Sequence, residues 1–379
     1  MKKQTHKQWL RSVRRTVIER REGQRGGKTR KRTSSSISVW SWVERWRDYG
    51  VDISQLRNGR LVISLPVQMN FSTHYEVTAA TILAIRSLTD HRRTSFGGRR
   101  LARVEFRNLT RISTSAALVL TAELSKWESL IRRSLRPELA EWNDNILQQF
   151  HELGFFSLFE QSPMWLRAPA GVSNANLRLV RYIRGRCGEV EKARELKKGI
   201  HQLVGEDIAK WTFLRCGLDE AVTNVTHHAY PEVGGLEETD KPWYMTGSFN
   251  NESRQLKIVF YDQGIGIPQS LPASKIWETV LTALSVYEPI DRRRDATMIK
   301  AAVEMDRSST GDEDRGKGLQ DLLEFVKQRN DGYLSILSSK GLYKYTMKDG
   351  VPSVKSEHFK FPIAGTLIIW SVHLPLEHV

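Results

Sequence analysis

Apolar and polar positions switch period several times along this chain. The stretch "GRLVISLPV" is a short apolar run ending at Pro66, which predicts a strand. "THYEVTAATILAIRSLTD" follows with a helical period behind a Ser/Thr cap, and "RRLARVEFRNL" predicts a second strand. "ISTSAALVLTAELSKWESLIRR" predicts a helix opened by hydroxyl residues, and "ELAEWNDNILQQFHELGFF" an amphipathic helix closed by Gly154. This strand–helix alternation predicts a small α/β sandwich over 59–165. Upstream, "SVWSWVERWRDYG" places Trp42 and Trp46 one helical turn apart, a spacing suited to docking a helix (37–58) on a core.

The stretch "SPMWLRAPAGVSNA" carries two prolines and many small residues, which predicts a linker at 166–171. Beyond it the pattern predicts a strand in "LRLVRYIRG", a helix over 189–204, and a helix through "LDEAVTNVTHHAYPE". The runs "WYMTGSF" and "LKIVFYD" flank Asn250 and Asn251 as two strands. A long, charged, poorly patterned segment spans 269–315, and a helix is expected over 318–330. Three closing strands are expected in "GYLSILSS", "LYKYTM" and "GTLIIWSVHLP".

The 379 residues allow two or three domains, and the composition is that of an ordinary globular protein. The net charge is +15, but residues 1–35 alone carry +11. The Gly/Ser/Arg-rich tail, 1–36, is therefore expected to be disordered. Its charge suits non-specific contact with nucleic acid and equally a solubilising role, since no base-reading motif lies within it. No apolar run reaches the ~18 residues of a membrane span. The basic N-terminus has no apolar core of a secretory signal. The two cysteines, Cys187 and Cys216, lack metal-ligand spacing and fit a reducing cytoplasm, so a cytoplasmic protein without membrane attachment is expected.

Four stretches carry candidate chemistry. In "LDEAVTNVTHHAYPE", Glu220, Asn224 and His228 recur every four residues and share one helix face. In "VFYDQGIGIP", a strand delivers Asp262 at its end, with Gly264 and Gly266 following. A carboxylate there can accept from an exocyclic amine, and the glycines let backbone approach a flat ring. In "EDRGKGLQDL", Gly316, Lys317 and Gly318 precede a helix, an arrangement that cradles phosphate. In "AGTLIIW", Thr366 opens the last strand. Each stretch alone has a bland reading: a solvated face, a tight turn, a helix start, a strand. The order and spacing are more specific, with Asp262 lying 38 residues after Asn224 and Gly316 a further 54 on.

That joint pattern resembles the GHKL ATPase superfamily over 172–379. This group includes gyrase-type topoisomerases, histidine kinases, mismatch-repair and chaperone ATPases, and anti-sigma-factor serine kinases. "EAVTNVTHHAY" is similar to its N box, and "DQGIGIP" and "RGKGLQDL" to its two glycine boxes. The resemblance implies a Bergerat-type α/β domain with helices on one face of a mixed sheet, and ATP and Mg²⁺ as ligands. It implies that Asn224 holds the Mg²⁺ and that Glu220 activates the attacking water or hydroxyl. Asp262 would bind the adenine amine with help from Thr366, and Gly264 and Gly266 would lie beside the ring. Gly316, Lys317 and Gly318 would hold the phosphates, with 269–315 as the nucleotide lid. His228 matches the "HAY" ending of the serine-kinase branch, but its place near a helix end suits capping or packing better than catalysis.

The stretch "ARVEFRNLTRISTSAALVLTAEL" resembles, more distantly, the STAS fold of anti-sigma-factor antagonists. The hydroxyls at the matching turn, Ser113, Thr114 and Ser115, would be its phosphoacceptors, but the acid and glycine of that turn are missing. Helix capping is the competing role. Residues 59–165 do not read as the helical hairpin of a sensor histidine kinase, and a topoisomerase or chaperone would run on for hundreds of residues. Two functions remain. One is an ATPase or serine/threonine kinase of the anti-sigma type, with a STAS-like or sigma-regulatory protein partner. The other is an ATP-gated interaction switch with little turnover. Homodimerisation, common among such proteins, is compatible with both.

Overall fold

The computed structural model describes residues 39–89, 101–125, 139–158, 176–205, 208, 211–231, 241–274, 277–288, 290–291, 294–305 and 318–374. The tail (1–36), the expected linker (166–171), Gly316 and Lys317 lie outside them. The chain is mixed α/β, and no helix among the described residues is long and apolar enough to cross a membrane.

The first layer begins with α1 (Val39–Asp48), β1 (Asp52–Gln55) and β2 (Leu61–Ser64), followed by β3 (Gln68–Met69) and α2 (Tyr75–Thr89). It continues through β4 (Leu101–Glu105), β5 (Arg111–Ile112), α3 (Thr114–Ser125) and α4 (Asp144–Leu153). Strands β1, β2 and β4 form one sheet, antiparallel then parallel, and β3 pairs β5 in parallel. The Trp-rich helix docks as its spacing predicts: Trp42 is buried and Trp46 packs against the same core, while Trp40 faces solvent. Helix α4 is closed at both ends by its own sequence. The Asn143 side chain accepts from the Asn145 N–H, and Gly154 takes the left-handed conformation at φ 85°.

The second layer holds β6 (Leu177–Leu179), β7 (Ile183–Arg186), α5 (Ala193–Val204) and α6 (Trp211–Asn224), which runs on as a π turn, Val225–Ala229. After them come β8 (Pro242–Asn250), β9 (Gln255–Asp262), α7 (Ile267–Ser270), α8 (Trp277–Leu284) and α9 (Asp295–Met305). Helix α10 (Gly318–Lys327), β10 (Gly332–Lys348) and β11 (Val351–His373) complete it. Its sheet runs β10-β11-β9-β8-β6, with β7 also on β8, and every pairing is antiparallel rather than mixed. The β8–β9 and β10–β11 connections are hairpins, which can join only antiparallel neighbours.

Alternation along this sheet sets the architecture. On β9, Leu256, Ile258 and Phe260 face one apolar cluster, and Val259 and Tyr261 face another. On β11, Ile368, Trp370 and Val372 join the first, and Leu367 and Ile369 the second. Helices α5, α6 and α10 cover the first face. The N-terminal layer covers the second, so residues on both sides of the expected linker share one core. Helix α3 is buried along its whole length between them.

Three sequence expectations are corrected. "LRLVRYIRG" is two strands, because the ladder breaks after the Val180 N–H, which still donates to the Gly247 carbonyl. The Val180 carbonyl accepts from the Thr246 hydroxyl, and the Tyr182 N–H turns away to the Leu153 carbonyl. "GYLSILSS" and "LYKYTM" form one strand, with register shifts around Ser339, where φ is +52°. Beyond that point the hairpin doubles back, bringing the Gly350 N–H to the Asn330 carbonyl and the Lys344 ammonium 4.2 Å from the Tyr333 ring. Residues 351–363 extend as strand because β10 supplies a ladder; their sequence is too polar to show alternation. Finally, much of 269–305 is helical rather than irregular. Leu271, Val280, Leu284, Ala301 and Ala302 form their own small core, and the Lys340 N–H donates to Asp295 to anchor α9. Helices of four to eleven residues hold too few turns for a period to stand out, and the charged run at 291–294 lies between them.

Candidate functional site

Strand β9 ends at Asp262, whose side chain is only 3% exposed. Its Oδ1 accepts from the Gly264 N–H at 2.8 Å, so the turn after the strand is folded onto the carboxylate. Gly365 lies directly opposite. A Cβ there would sit 2.1 Å from the Asp262 carbonyl oxygen and 2.8 Å from Oδ1, and φ is +73°. Glycine is what lets β11 approach the acid. Gly264 and Gly266 are equally confined: a Cβ on the former would meet the Ala229 carbonyl at 2.4 Å, and on the latter the Ser338 hydroxyl at 2.7 Å.

Ser338 joins these pieces. Its hydroxyl donates to the Gly365 carbonyl at 2.9 Å, accepts from the Ile267 N–H at 2.9 Å, and lies 3.1 Å from the Thr366 hydroxyl. Having given its one proton to Gly365, Ser338 must accept from Thr366. Thr366 therefore keeps its own lone pairs as acceptors beside Asp262, a pair of acceptors suited to an amine donor. We expect Ser338→Ala to leave the Gly365 carbonyl and Ile267 N–H buried without partners. It should cost about 2 kcal/mol, read as a lowered urea midpoint with unchanged slope.

Helix α6 supplies the second half of the site. The Asn224 Nδ2 donates to Glu220 Oε1 at 2.7 Å, as expected of residues one turn apart. The opposite amide orientation would face oxygen to carboxylate, so Asn224 Oδ1 points away from Glu220. The π turn at the end of α6 fastens this helix to the Asp262 loop. The Ile265 N–H donates to the Ala229 carbonyl at 2.9 Å, and the Gln263 N–H to the Tyr230 hydroxyl at 3.1 Å. Tyr230 in turn donates to the Pro242 carbonyl at 2.7 Å. Burial, and then the Asp262 charge, push the Tyr230 pKa far up, so it stays a neutral donor.

Of the residues singled out from sequence, Asp262, Gly264, Gly266 and Thr366 thus meet in one cluster, and Glu220 and Asn224 pair on the helix fastened to it. Gly318 begins α10, which packs against α6 through Leu322 and Val326; Gly316 and Lys317 fall outside the described residues. His228 sits in the π turn, half-buried, its pKa lowered by burial and by neighbouring His227, which suits packing. The hydroxyls considered as phosphoacceptors are mostly enclosed. Thr114 and Ser115 are buried, and the Thr114 hydroxyl lies 2.8 Å from that of Ser248. Ser113 caps α3, accepting from the Ala116 N–H. Ser338, Tyr230 and Gln263 escaped the sequence reading. For Ser338 the available signal was a polar residue within an apolar strand; Tyr230 and Gln263 lie just outside regular elements and gave none.

No protein-family model matches the chain, and no curated protein matches it.

Proposed function

We propose that residues 172–379 form an ATP-binding domain of the GHKL type that hydrolyses ATP or transfers its γ-phosphoryl group to a protein hydroxyl. The observation that carries this reading is the meeting of Asp262, Gly264, Gly266, Gly365 and Thr366 in one cluster, hydrogen-bonded to the end of the Glu220–Asn224 helix. Two buried acceptors side by side suit the adenine amine, and the confined glycines leave backbone, not side chains, around the site.

The donor set fits Mg²⁺. Asn224 Oδ1 is a hard oxygen turned away from Glu220, and Mg²⁺ takes few protein ligands when phosphates complete its shell. Asn224 would hold it there, and the ion when bound neutralises phosphate charge. Glu220, one turn away, would accept the proton of the attacking water or hydroxyl. The nitrogen it receives from Asn224 holds its carboxylate in one orientation. The STAS-like character of the N-terminal layer, and hence a regulatory protein partner of that type, belongs to the same proposal. It is supported by the β-α-β order of β2, α2 and β4 with its parallel pairing.

Calorimetry with ATP and ADP, with and without Mg²⁺, tests the reading directly. We expect micromolar, Mg²⁺-dependent binding; absence of heat with every adenosine phosphate would reject it. Incubation with γ-labelled ATP then separates outcomes: label on protein means kinase, and released phosphate means ATPase. Tight binding with neither means the gated switch.

A further inference from the structure

Glu123, on the N-terminal layer's helix α3, is only 3% exposed and carries three donors. Its Oε1 accepts from the Gln263 side-chain amide at 2.8 Å and the Tyr261 hydroxyl at 3.3 Å, and Oε2 lies 3.3 Å from the Arg86 Nε. Tyr261 and Gln263 flank Asp262 on the opposite face of β9. The other face of the same turn is held by the bonds to Tyr230 and within the Asp262 loop. Among the described residues the Gln263 Oε1 is buried without a partner, so Glu123 alone fixes that amide. A buried carboxylate accepting several bonds is a rigid anchor, because losing any donor leaves a polar group stranded.

We propose that Glu123 is a positioning residue through which the N-terminal layer sets the geometry of the Asp262 base-recognition turn. The inference rests on the ATP-binding reading for its functional consequence. The anchor spans layers far apart in sequence. Among the described residues helix α3 makes two further polar contacts to the same sheet: Thr114 to Ser248, away from the strand end, and Ser125 to Tyr244 at 2.7 Å, which holds the β8 partner of Tyr261 and not the turn itself. Glu123 is the contact that reaches the residues on either side of Asp262. A displacement of α3 or α2 would therefore be felt first at the adenine amine and not at the phosphates.

The test compares full-length wild type, Glu123→Ala and Glu123→Gln, each checked for fold by circular dichroism. ATP and ITP, which lacks the exocyclic amine, are titrated by calorimetry. Hydrogen–deuterium exchange is followed at the peptide covering 261–265. We expect Glu123→Ala to narrow the preference for ATP over ITP at least fivefold and to speed exchange of the Gln263 and Gly264 amides. Glu123→Gln, which keeps an acceptor, should lie between. A folded Glu123→Ala protein with the wild-type ATP/ITP ratio and wild-type exchange overturns the proposal, as does an equal loss of affinity for both nucleotides. If Glu123→Ala fails to fold, Glu123→Gln decides by the same two readouts. If wild type binds neither nucleotide, the ATP reading fails, and exchange at 261–265 alone decides whether Glu123 anchors the turn.

Discussion

Asn224→Ala should lower Mg²⁺-dependent ATP affinity by roughly 100-fold or more, about 2.7 kcal/mol, while leaving the fold intact. The side chain is half-exposed on α6, and its hydrogen bond to Glu220 is a surface pair whose loss the helix tolerates. What the variant removes is the oxygen proposed to hold the cation between the phosphates. Glu220→Ala makes the contrast. It should retain nucleotide binding and lose turnover by ~10²–10⁴-fold, since a proton acceptor matters mainly to the chemical step. Calorimetry and phosphate release on the same preparations check both. A Glu220 variant turning over at the wild-type rate would remove it from the reaction, and an Asn224 variant binding Mg-ATP normally would remove the metal assignment.

Gly365→Ala should destabilise the protein by about 3 kcal/mol or more and abolish nucleotide binding. Two penalties coincide there. The backbone sits at φ +73°, and the new methyl would overlap the Asp262 carbonyl carbon and oxygen, which cannot rotate away. Gly350→Ala is the control that separates them. Its φ is +77°, but nothing lies within 4 Å of its would-be Cβ, so it should cost only about 1 kcal/mol. Urea denaturation of both variants measures the difference. Equal costs would show that strain alone matters and that β11 can shift away from Asp262.

Local chemistry explains what was readable from the residues alone. Helix α4 announces itself through its amphipathic run closed by Gly154, and the β8–β9 hairpin through two runs around Asn250 and Asn251. The Asp262 cluster was legible through the order and spacing of its stretches, each of which alone has a bland reading. What could not be read depends on partners distant in the chain. Ser338 looks like any strand serine until Gly365 and Ile267 fold onto it, and Glu123 like a helix-surface acid until Gln263, 140 residues on, donates to it. The helices between 267 and 305 were hidden by their shortness, which leaves few turns to show a period. The folded-back hairpin depends on Ser339, a residue type that gives no warning of a positive φ.

The seam between the two layers has an evolutionary corollary. Val259, Tyr261, Leu337, Leu367 and Ile369 present a greasy wall that, among the described residues, the N-terminal half covers. A gene fragment encoding the latter half by itself would yield a sticky product, prone to clumping. Recombination could not freely swap one half for a stranger, so both must be inherited, and must drift, as a matched set.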